Sequence, residues 1–220
     1  MIKYGLISDI HGDIDALHKA LALLDAAGVA KILCAGDLIE HDPVGSEAVV
    51  RLIREREIDC VQGNHDKSAE MLLKWVRDHK GNLDILPPHR RVSLESLEFL
   101  EGLPLVRHIE VEGVGITVAH GTPWSPYVSL FPSDAPNTFR RAVRESKGDV
   151  LIVGHTHYPV TMHVGEMRII NPGAVWQNHP QGRQYGLRTC AILEIPSMQC
   201  TLIDIDSSKT SIPPVKKIEI

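Results

Sequence analysis

The chain repeats one local pattern: a short apolar run, then a carboxylate, amide or imidazole with a glycine close by. Ile2–Ser8 runs into Asp9-Ile10-His11-Gly12-Asp13, Lys31–Ala35 into Gly36-Asp37, and Ile58–Gln62 into Gly63-Asn64-His65-Asp66. Asp9 to Asp37 is 28 residues and Asp37 to Asn64 is 27, one strand–helix unit each. Between them, Asp13–Ala27 carries Ile14, Leu17, Leu21 and Leu24 at helical spacing, and Gly28 is a suitable residue to end that helix. Glu47–Arg56 reads as a second helix with Ser46 as its N-cap, Ser68–His79 as a third and Ser93–Glu101 as a further one. Three such units predict a parallel sheet with right-handed crossovers.

The pattern then changes. Val106–Glu112 and Val114–Ala119 flank Gly113 as a hairpin would, Pro136–Lys147 reads as a helix, and Val150–Val153 as a buried strand. Strand-like runs follow at Val160–Val164, Met167–Ile170, Leu187–Ile195 and Cys200–Ile205. A strand-rich second half predicts a second, mostly antiparallel sheet packed on the first. The polar, two-proline tail after Asp206 reads as an arm over the surface.

Two later strand ends repeat the opening pattern: His120-Gly121 follows the hairpin, and Gly154-His155-Thr156-His157 follows Val150–Val153. Carboxyl ends of neighbouring strands meet at one edge of an open α/β sheet, where ligands bind. Carboxylate, amide oxygen and imidazole suit Mn²⁺, Fe²⁺, Co²⁺, Ni²⁺ or Zn²⁺, and the lack of thiolate argues against a structural zinc site. Seven candidates, Asp9, His11, Asp37, Asn64, His120, His155 and His157, are too many for one ion and fit two sharing a carboxylate. Two ions ~3.5–4 Å apart suit in-line displacement at phosphorus.

Composition narrows the classes. At 220 residues the chain supports one large core without a disulfide or zinc staple. A formal charge of −5 argues against an electrostatically driven nucleic-acid binder. The N-terminal run Met1–Leu6 is expected to enter a strand and not to serve as a signal peptide. No apolar run approaches the ~18 residues of a membrane span. Cys34, Cys60, Cys190 and Cys200 are scattered, which predicts reduced thiols and a cytoplasmic location.

The blocks Asp9-x-His11, Gly36-Asp37, Gly63-Asn64-His65-Asp66, His120-Gly121 and Gly154-His155-x-His157, in that order, resemble a calcineurin-like metallophosphoesterase, closest to the small bacterial and archaeal phosphodiesterase-type members. Asn171-Pro172-Gly173-Ala174 resembles that subgroup's Asn-Pro-Gly-Ser loop. The resemblance implies an α/β fold, a four-layer α/β/β/α sandwich with two central mixed β-sheets. It implies a single metallophosphoesterase domain over 1–206, with 207–220 as a C-terminal arm. It assigns Asp9, His11, Asp37 and His157 to one metal and Asp37, Asn64, His120 and His155 to the other. The cofactors would be two divalent ions, Mn²⁺ first, with Fe, Zn, Ni or Co as alternatives. A metal-bridging hydroxide would be the nucleophile, with His65 stabilising the transition state or protonating the leaving oxygen, and Asp66 orienting His65.

Singly, these residues have plainer readings: Asp and Asn after strands are ordinary turn and cap residues. It is their joint occurrence at five strand ends that carries the reading. The remaining histidines read as surface or structural, except that His41 lies close enough in sequence to Asp37 to reach the site mouth. Arg140, Arg141, Arg144 and Lys147 read as a solvated helix face.

The stretch Thr122–Phe139 is rich in aromatics and prolines and follows His120. It reads either as a substrate wall or as a self-packed loop. Trp124, Tyr127, Trp176 and Arg183 are the candidate substrate contacts. Ala174 stands where relatives carry Ser, and the Arg often found just after that block is missing. Arg183 or Arg188 would have to substitute. The expected substrate is a small-molecule phosphomonoester or phosphodiester, with a nucleotide type preferred. No membrane partner is expected, nucleic acid is disfavoured, and a homo-oligomer stays open. The rivals are a protein phosphatase and a non-catalytic interaction scaffold on the same fold.

Overall fold

A computed structural model describes residues 1–40, 42–176 and 187–220. Its first sheet begins with β1 (Ile2–Ile7), β2 (Lys31–Cys34) and β3 (Asp59–Cys60), parallel as the βα units require. The first crossover is α1 (Ile14–Ala26), started by Asp13, whose side chain accepts from Ala16 N at 3.0 Å. The second is α2 (Pro43–Glu55). It starts earlier than the sequence suggested: Asp42, not Ser46, is the N-cap, accepting from Val44 N at 3.0 Å. Pro43 suits the first helical position because no N–H is needed there. Ser46 instead accepts from Glu40 N at 3.1 Å, tying the end of the Asp37 loop to the helix. A 3₁₀ turn at Asp66–Ser68 leads into α3 (Ala69–Asp78), and α4 (Leu94–Gly102) is capped by Ser93.

The second sheet holds the hairpin β4 (Val106–Val111) and β5 (Val114–Ala119), then β6 (Val150–Ile152), β7 (Val160–Val164) and β8 (Met167–Asn171). Here β5, β6 and β8 are parallel while β4 runs against β5 and β7 against β8, so the sheet is mixed and not mostly antiparallel. The expectation that all later strands join this sheet is also corrected. β9 (Thr189–Ile195) pairs with β1, and β10 (Gln199–Asp204) pairs with β9, both in the first sheet. The reason is edge burial. β1 is buried on both faces, and three parallel strands alone would leave one side of it unpaired; β9 covers that side. Residues 210–218 add an edge strand to each sheet, β11 (Thr210–Ser211) on β10 and β12 (Val215–Ile218) on β7.

The layers follow from where the apolar side chains meet. Tyr4, Leu6, Leu33, Val61, Ile116, Val118, Ile152 and Leu193 fill the space between the sheets. Ile7, Cys34 and Ile192 face Leu17, Leu24, Val50, Leu72 and Leu97 from α1–α4. The outer face of the second sheet, through Leu151, Met162 and Ile169, packs on Phe139 and Ala142 of α5 (Pro136–Ser146). This is the four-layer α/β/β/α arrangement. The carboxyl ends of β1, β2 and β3 lie at one edge of the first sheet, and those of β5, β6 and β8 at one edge of the second. The hydrogen bonds described next join the two edges. Among the described residues no helix is long and apolar enough to cross a membrane. All four cysteines are buried and free.

Candidate metal centre

All seven expected ligands come together across the sheet edges. From the first sheet, Asp9 follows β1 and is fully buried. Ser8 Oγ donates to its Oδ2 at 2.6 Å, and the backbone N–H of His155, from the second sheet, lies 3.1 Å from both of its oxygens. His157 Nε2 stands 3.2 Å from Asp9 Oδ1 and 3.3 Å from His11 Nε2. After β2, Asp37 Oδ2 lies 3.1 Å from His120 Nε2 and 3.8 Å from His11 Nε2. Asn64 Oδ1 is 2.9 Å from the same His120 nitrogen. His120 Nδ1 faces the Ala35 carbonyl at 2.7 Å, so Nδ1 carries the proton and Nε2 is turned toward the carboxylate.

The backbone bends sharply to achieve this. Asp9, His11, Asp37, His155 and His157 have φ of 53°, 48°, 59°, 66° and 55°. Left-handed backbone is uncommon outside glycine, and such strain collects at functional sites. Two glycines are required by close approach. A Cβ at Gly63 would overlap the Asp37 carboxylate and backbone, and one at Gly154 would overlap Ser8 Oγ and crowd Asp9. Gly63→Ala is therefore expected to displace Asp37, lower metal loading and lower the melting temperature. Gly102→Ala, where a Cβ meets nothing within 4 Å, should do neither; metal analysis and thermal melts compare the two.

Buttressing residues complete the loops. Asn171 Nδ2 donates to the Gly154 carbonyl at 2.8 Å and its Oδ1 accepts from Gly173 N at 2.8 Å, which is what the Asn-Pro-Gly block does. Asp66 departs from its expected role. Its fully buried carboxylate accepts from the backbone N–H of Asp37 at 2.8 Å, Gly63 at 2.9 Å and Leu38 at 2.9 Å. It therefore fixes the Asp37 loop and does not orient the His65 ring. Burial, then the Asp37 charge, push its carboxyl up to about 7 against the pull of those N–H groups.

The carboxylate at the His65 ring is Glu40, in contact with His65 Nδ1. His65 Nε2 lies 3.9 Å from Asp37 Oδ2, and its ring stands edge-on to His11 with centroids 4.9 Å apart. Glu40 had no signal in the sequence beyond standing three residues after Asp37.

Electrostatics set up a mixed donor set. Burial disfavours charge on every member. At Asp9 the His157 imidazole outweighs burial and holds the carboxyl down at about 2; His120 acts the same way on Asp37. The Asp37 carboxylate in turn outweighs burial at His120 and lifts it to about 10, and Asp9 raises His157. Burial instead wins at His11, down to about 3, and at His65 and His155. Donor atoms of Asp9, His11 and His157 all lie within 4.8 Å of one another, as do those of Asp37, His120 and His155. Ligand bonds of about 2.0–2.2 Å to nitrogen and oxygen let one ion serve each group. The residues present fit two ions in composition and in grouping. His11, Asp37 and His65 form a third such group.

The candidate substrate contacts separate. Trp176 belongs here: its ring centroid is 5.0 Å from that of His11 and 6.1 Å from that of His157, and its backbone N–H donates to the Asp9 carbonyl at 3.1 Å. It lines a cavity of about 250 Å³ with His11, Gly12, Asp13, Ile14, Asp15 and Asp42. Trp124 is held instead by the Arg141 guanidinium, 4.1 Å from its ring, and by the core beneath α5. Tyr127 is exposed. Arg188, the proposed substitute cation, is tied to Asp206 at 2.6 Å and Asp13 at 3.3 Å. Arg183 and His41 lie outside the described residues.

A family model described as the calcineurin-like phosphoesterase superfamily domain matches residues 2–198. The chain belongs to this superfamily. This calcineurin-like phosphoesterase is 26% identical over 208 residues to phosphodiesterase YfcE of Escherichia coli (strain K12), across 89% of this chain and 91% of that one. The metallophosphoesterase from Sphaerobacter thermophilus has a similar structure, with a TM-score of 0.70 and 25% identity over 91% of this chain and 87% of that one. Zinc-complexed Vps29 from Entamoeba histolytica shares the fold, with a TM-score of 0.59, 17% identity and 96% coverage of each chain. The calcineurin-like phosphoesterase is thus a metal-dependent phosphoric ester hydrolase.

Proposed function

We propose that this calcineurin-like phosphoesterase hydrolyses small-molecule phosphodiesters at a dinuclear metal centre. The observation that carries the proposal is the pair of donor groups, one on Asp9 and one on Asp37, lying under a single imidazole, His65. Asp9, His11 and His157 would hold one ion and Asn64, His120 and His155 the other, with Asp37 shared between them. When bound, the two ions supply Lewis-acid stabilisation of the phosphoryl oxygens and make water acidic enough to attack near neutral pH.

The protein's own groups do the rest. His65 directs Nε2 into the centre and hands a proton to the leaving oxygen. Water oxygen joins phosphorus and gives a proton to solvent, the ester P–O bond breaks with its electron pair on the leaving oxygen, which takes the His65 proton, and a phosphomonoester and an alcohol leave; His65 regains a proton from solvent. Trp176 offers a flat wall beside His11 for the organic part of the ester, which agrees with a nucleotide-type substrate through base stacking. The YfcE likeness supports a diester over a monoester as substrate. Seven converging donors together with His65 favour catalysis over the rival reading, a non-catalytic scaffold on this fold.

The test is turnover of bis-nitrophenyl phosphate by protein stripped of metal and reloaded with Mn²⁺ or Ni²⁺. The expected result is activity that a chelator abolishes and added metal restores, with two equivalents of metal needed for full rate. Folded, metal-loaded protein with no turnover under any of these ions would sink the proposal.

A further inference from the structure

The carboxylate of Glu40 is shared. One oxygen contacts His65 Nδ1, and the other lies 2.9 Å from Arg90 Nη2. Glu40 reaches this place at a cost in backbone conformation. Its φ of 107° is one that a side-chain-bearing residue rarely adopts. Ser46 Oγ, accepting from Glu40 N at 3.1 Å, and Asp42 N, donating to Glu40 O at 2.9 Å, hold that conformation.

Arg90 is delivered from a distant part of the chain. It ends a 3₁₀ turn at Pro88–Arg90, between the buried side chains of Leu86 and Val92. The neighbouring Arg91 is fastened to the Leu86 carbonyl at 3.3 Å and to the Asp84 carboxylate at 3.1 Å. The segment is therefore anchored on both sides of Arg90, and 50 residues separate Arg90 from the carboxylate it meets.

We propose that Arg90 is a positioning residue which, through Glu40, fixes the His65 imidazole for proton transfer to the leaving oxygen. This rests on the reading of His65 as the proton donor. A carboxylate next to a donor imidazole has two ways to fail: it rotates away, or it takes the proton itself. Guanidinium is always charged and holds a carboxylate at a fixed angle. With one oxygen on Arg90, Glu40 has a fixed cation beside it, and its other oxygen stays on Nδ1. That leaves Nε2 as the nitrogen that faces the centre. Glu40 is in none of the donor groups found among the described residues, and Arg90 reaches the site through Glu40, so their effect is expected at the step that needs His65.

That expectation supplies the test. Metal-loaded full-length protein is assayed on a series of alkyl aryl phosphodiesters whose leaving group runs from nitrophenol to unsubstituted phenol. Nitrophenolate leaves with little help from a proton, whereas phenolate needs one. For Arg90→Ala the expected result is unchanged metal content and KM. kcat should be nearly parental on the nitrophenyl ester and roughly tenfold lower on the phenyl ester, in the range of groups that orient a catalytic ligand or acid. Arg90→Lys should restore part of the loss on the phenyl ester. In a Glu40→Gln background, removing Arg90 should change nothing further, because its route of action is already gone.

An equal fall in kcat across the series, a rise in KM alone, or a full additional loss in the Glu40→Gln background would each overturn the proposal. A KM rise alone would mark Arg90 as a direct phosphate contact instead. If Arg90→Ala does not fold, Arg90→Lys and Glu40→Gln carry the same leaving-group comparison. Absence of turnover by the parent protein would instead overturn the reading of the site on which this proposal rests.

Discussion

Asp37→Asn is expected to remove activity almost entirely, while leaving a folded protein. Asp37 belongs to one donor group, with His120 and His155, and reaches toward His11 of the other, which is why it is proposed as the shared ligand. Its Oδ2 lies 3.1 Å from His120 and 3.8 Å from His11, and its Oδ1 accepts the backbone N–H of His65 at 2.9 Å. Asparagine keeps the shape and that last hydrogen bond but loses the charge. Without the carboxylate, the largest offset to burial at His120 is gone, and only Asp9 and the Ala35 carbonyl still favour its imidazolium. The ring can respond by releasing its proton, so the fold is not left with an uncompensated buried charge, and the stability cost stays small. Metal has no such escape, because one anionic donor of two is gone. Loss of a single electrostatic stabiliser of a transition state commonly costs about 10²–10³ in kcat; losing the shared ligand should exceed that. Metal analysis should find about one ion fewer per chain, and the rise in melting temperature on adding metal should shrink, since stabilisation by a ligand follows its affinity. A variant that binds two ions and turns over near the parental rate would show that Asp37 is not shared.

The site was more legible in the sequence than the path of the chain around it, for a physical reason. A donor at the end of a buried strand must be Asp, Asn or His and must follow a tight turn, so Asp9, Asp37, Asn64, His120, His155 and His157 stood out by residue type and position together. The repeat of the strand–helix unit likewise fixed β1–α1–β2 and its parallel pairing. What period-2 alternation does not carry is which sheet a strand joins. β9 and β10 read as part of the second sheet, yet they cover the open side of β1, a demand set by burial of β1 rather than by their own pattern.

The second class of missed features is long-range and polar. Asp66 looked like the partner of His65 because it is adjacent in sequence. The 3₁₀ turn carries its carboxylate back to the Asp37 loop, and the ring is met by Glu40 and, behind it, Arg90. Such a pairing has no local signature: a Glu in a loop and an Arg in a turn are common surface residues until the fold places them together. Trp176 is the reverse case. It was one of four aromatic or cationic candidates of equal standing, and the backbone hydrogen bonds of Val175 to Ser8 and of Trp176 to Asp9 are what bring it, and not Trp124, beside His11.

His65→Ala separates the two parts that His65 can play. Geometry alone allows it to be a ligand, since His65, His11 and Asp37 satisfy the same spacing as the other two donor groups. It also allows it to be a proton donor, with Nδ1 on Glu40 and Nε2 turned toward the centre. The environment favours the second. Its side chain is 29% exposed where those of Asp37 and His120 are 2% and 0%, so it lies at the mouth, where an ester oxygen has to leave. The backbone at residue 65 is also independent of the ring: its N–H donates to Asp37 Oδ1 at 2.9 Å and its carbonyl accepts from Ser68 Oγ at 2.6 Å, both of which alanine keeps. Removing the ring should thus leave the Asp37 loop in place and both ions bound. Activity should still fall, by about 10²–10⁴ on esters with a poor leaving group, the usual contribution of a positioned general acid, and by much less on nitrophenyl esters. Metal content measured beside kcat decides between the roles. Two ions with a large, leaving-group-dependent loss of rate assigns His65 to proton transfer. One ion with a loss that ignores the leaving group would make it a ligand, and the relay through Glu40 to Arg90 would then serve to hold metal.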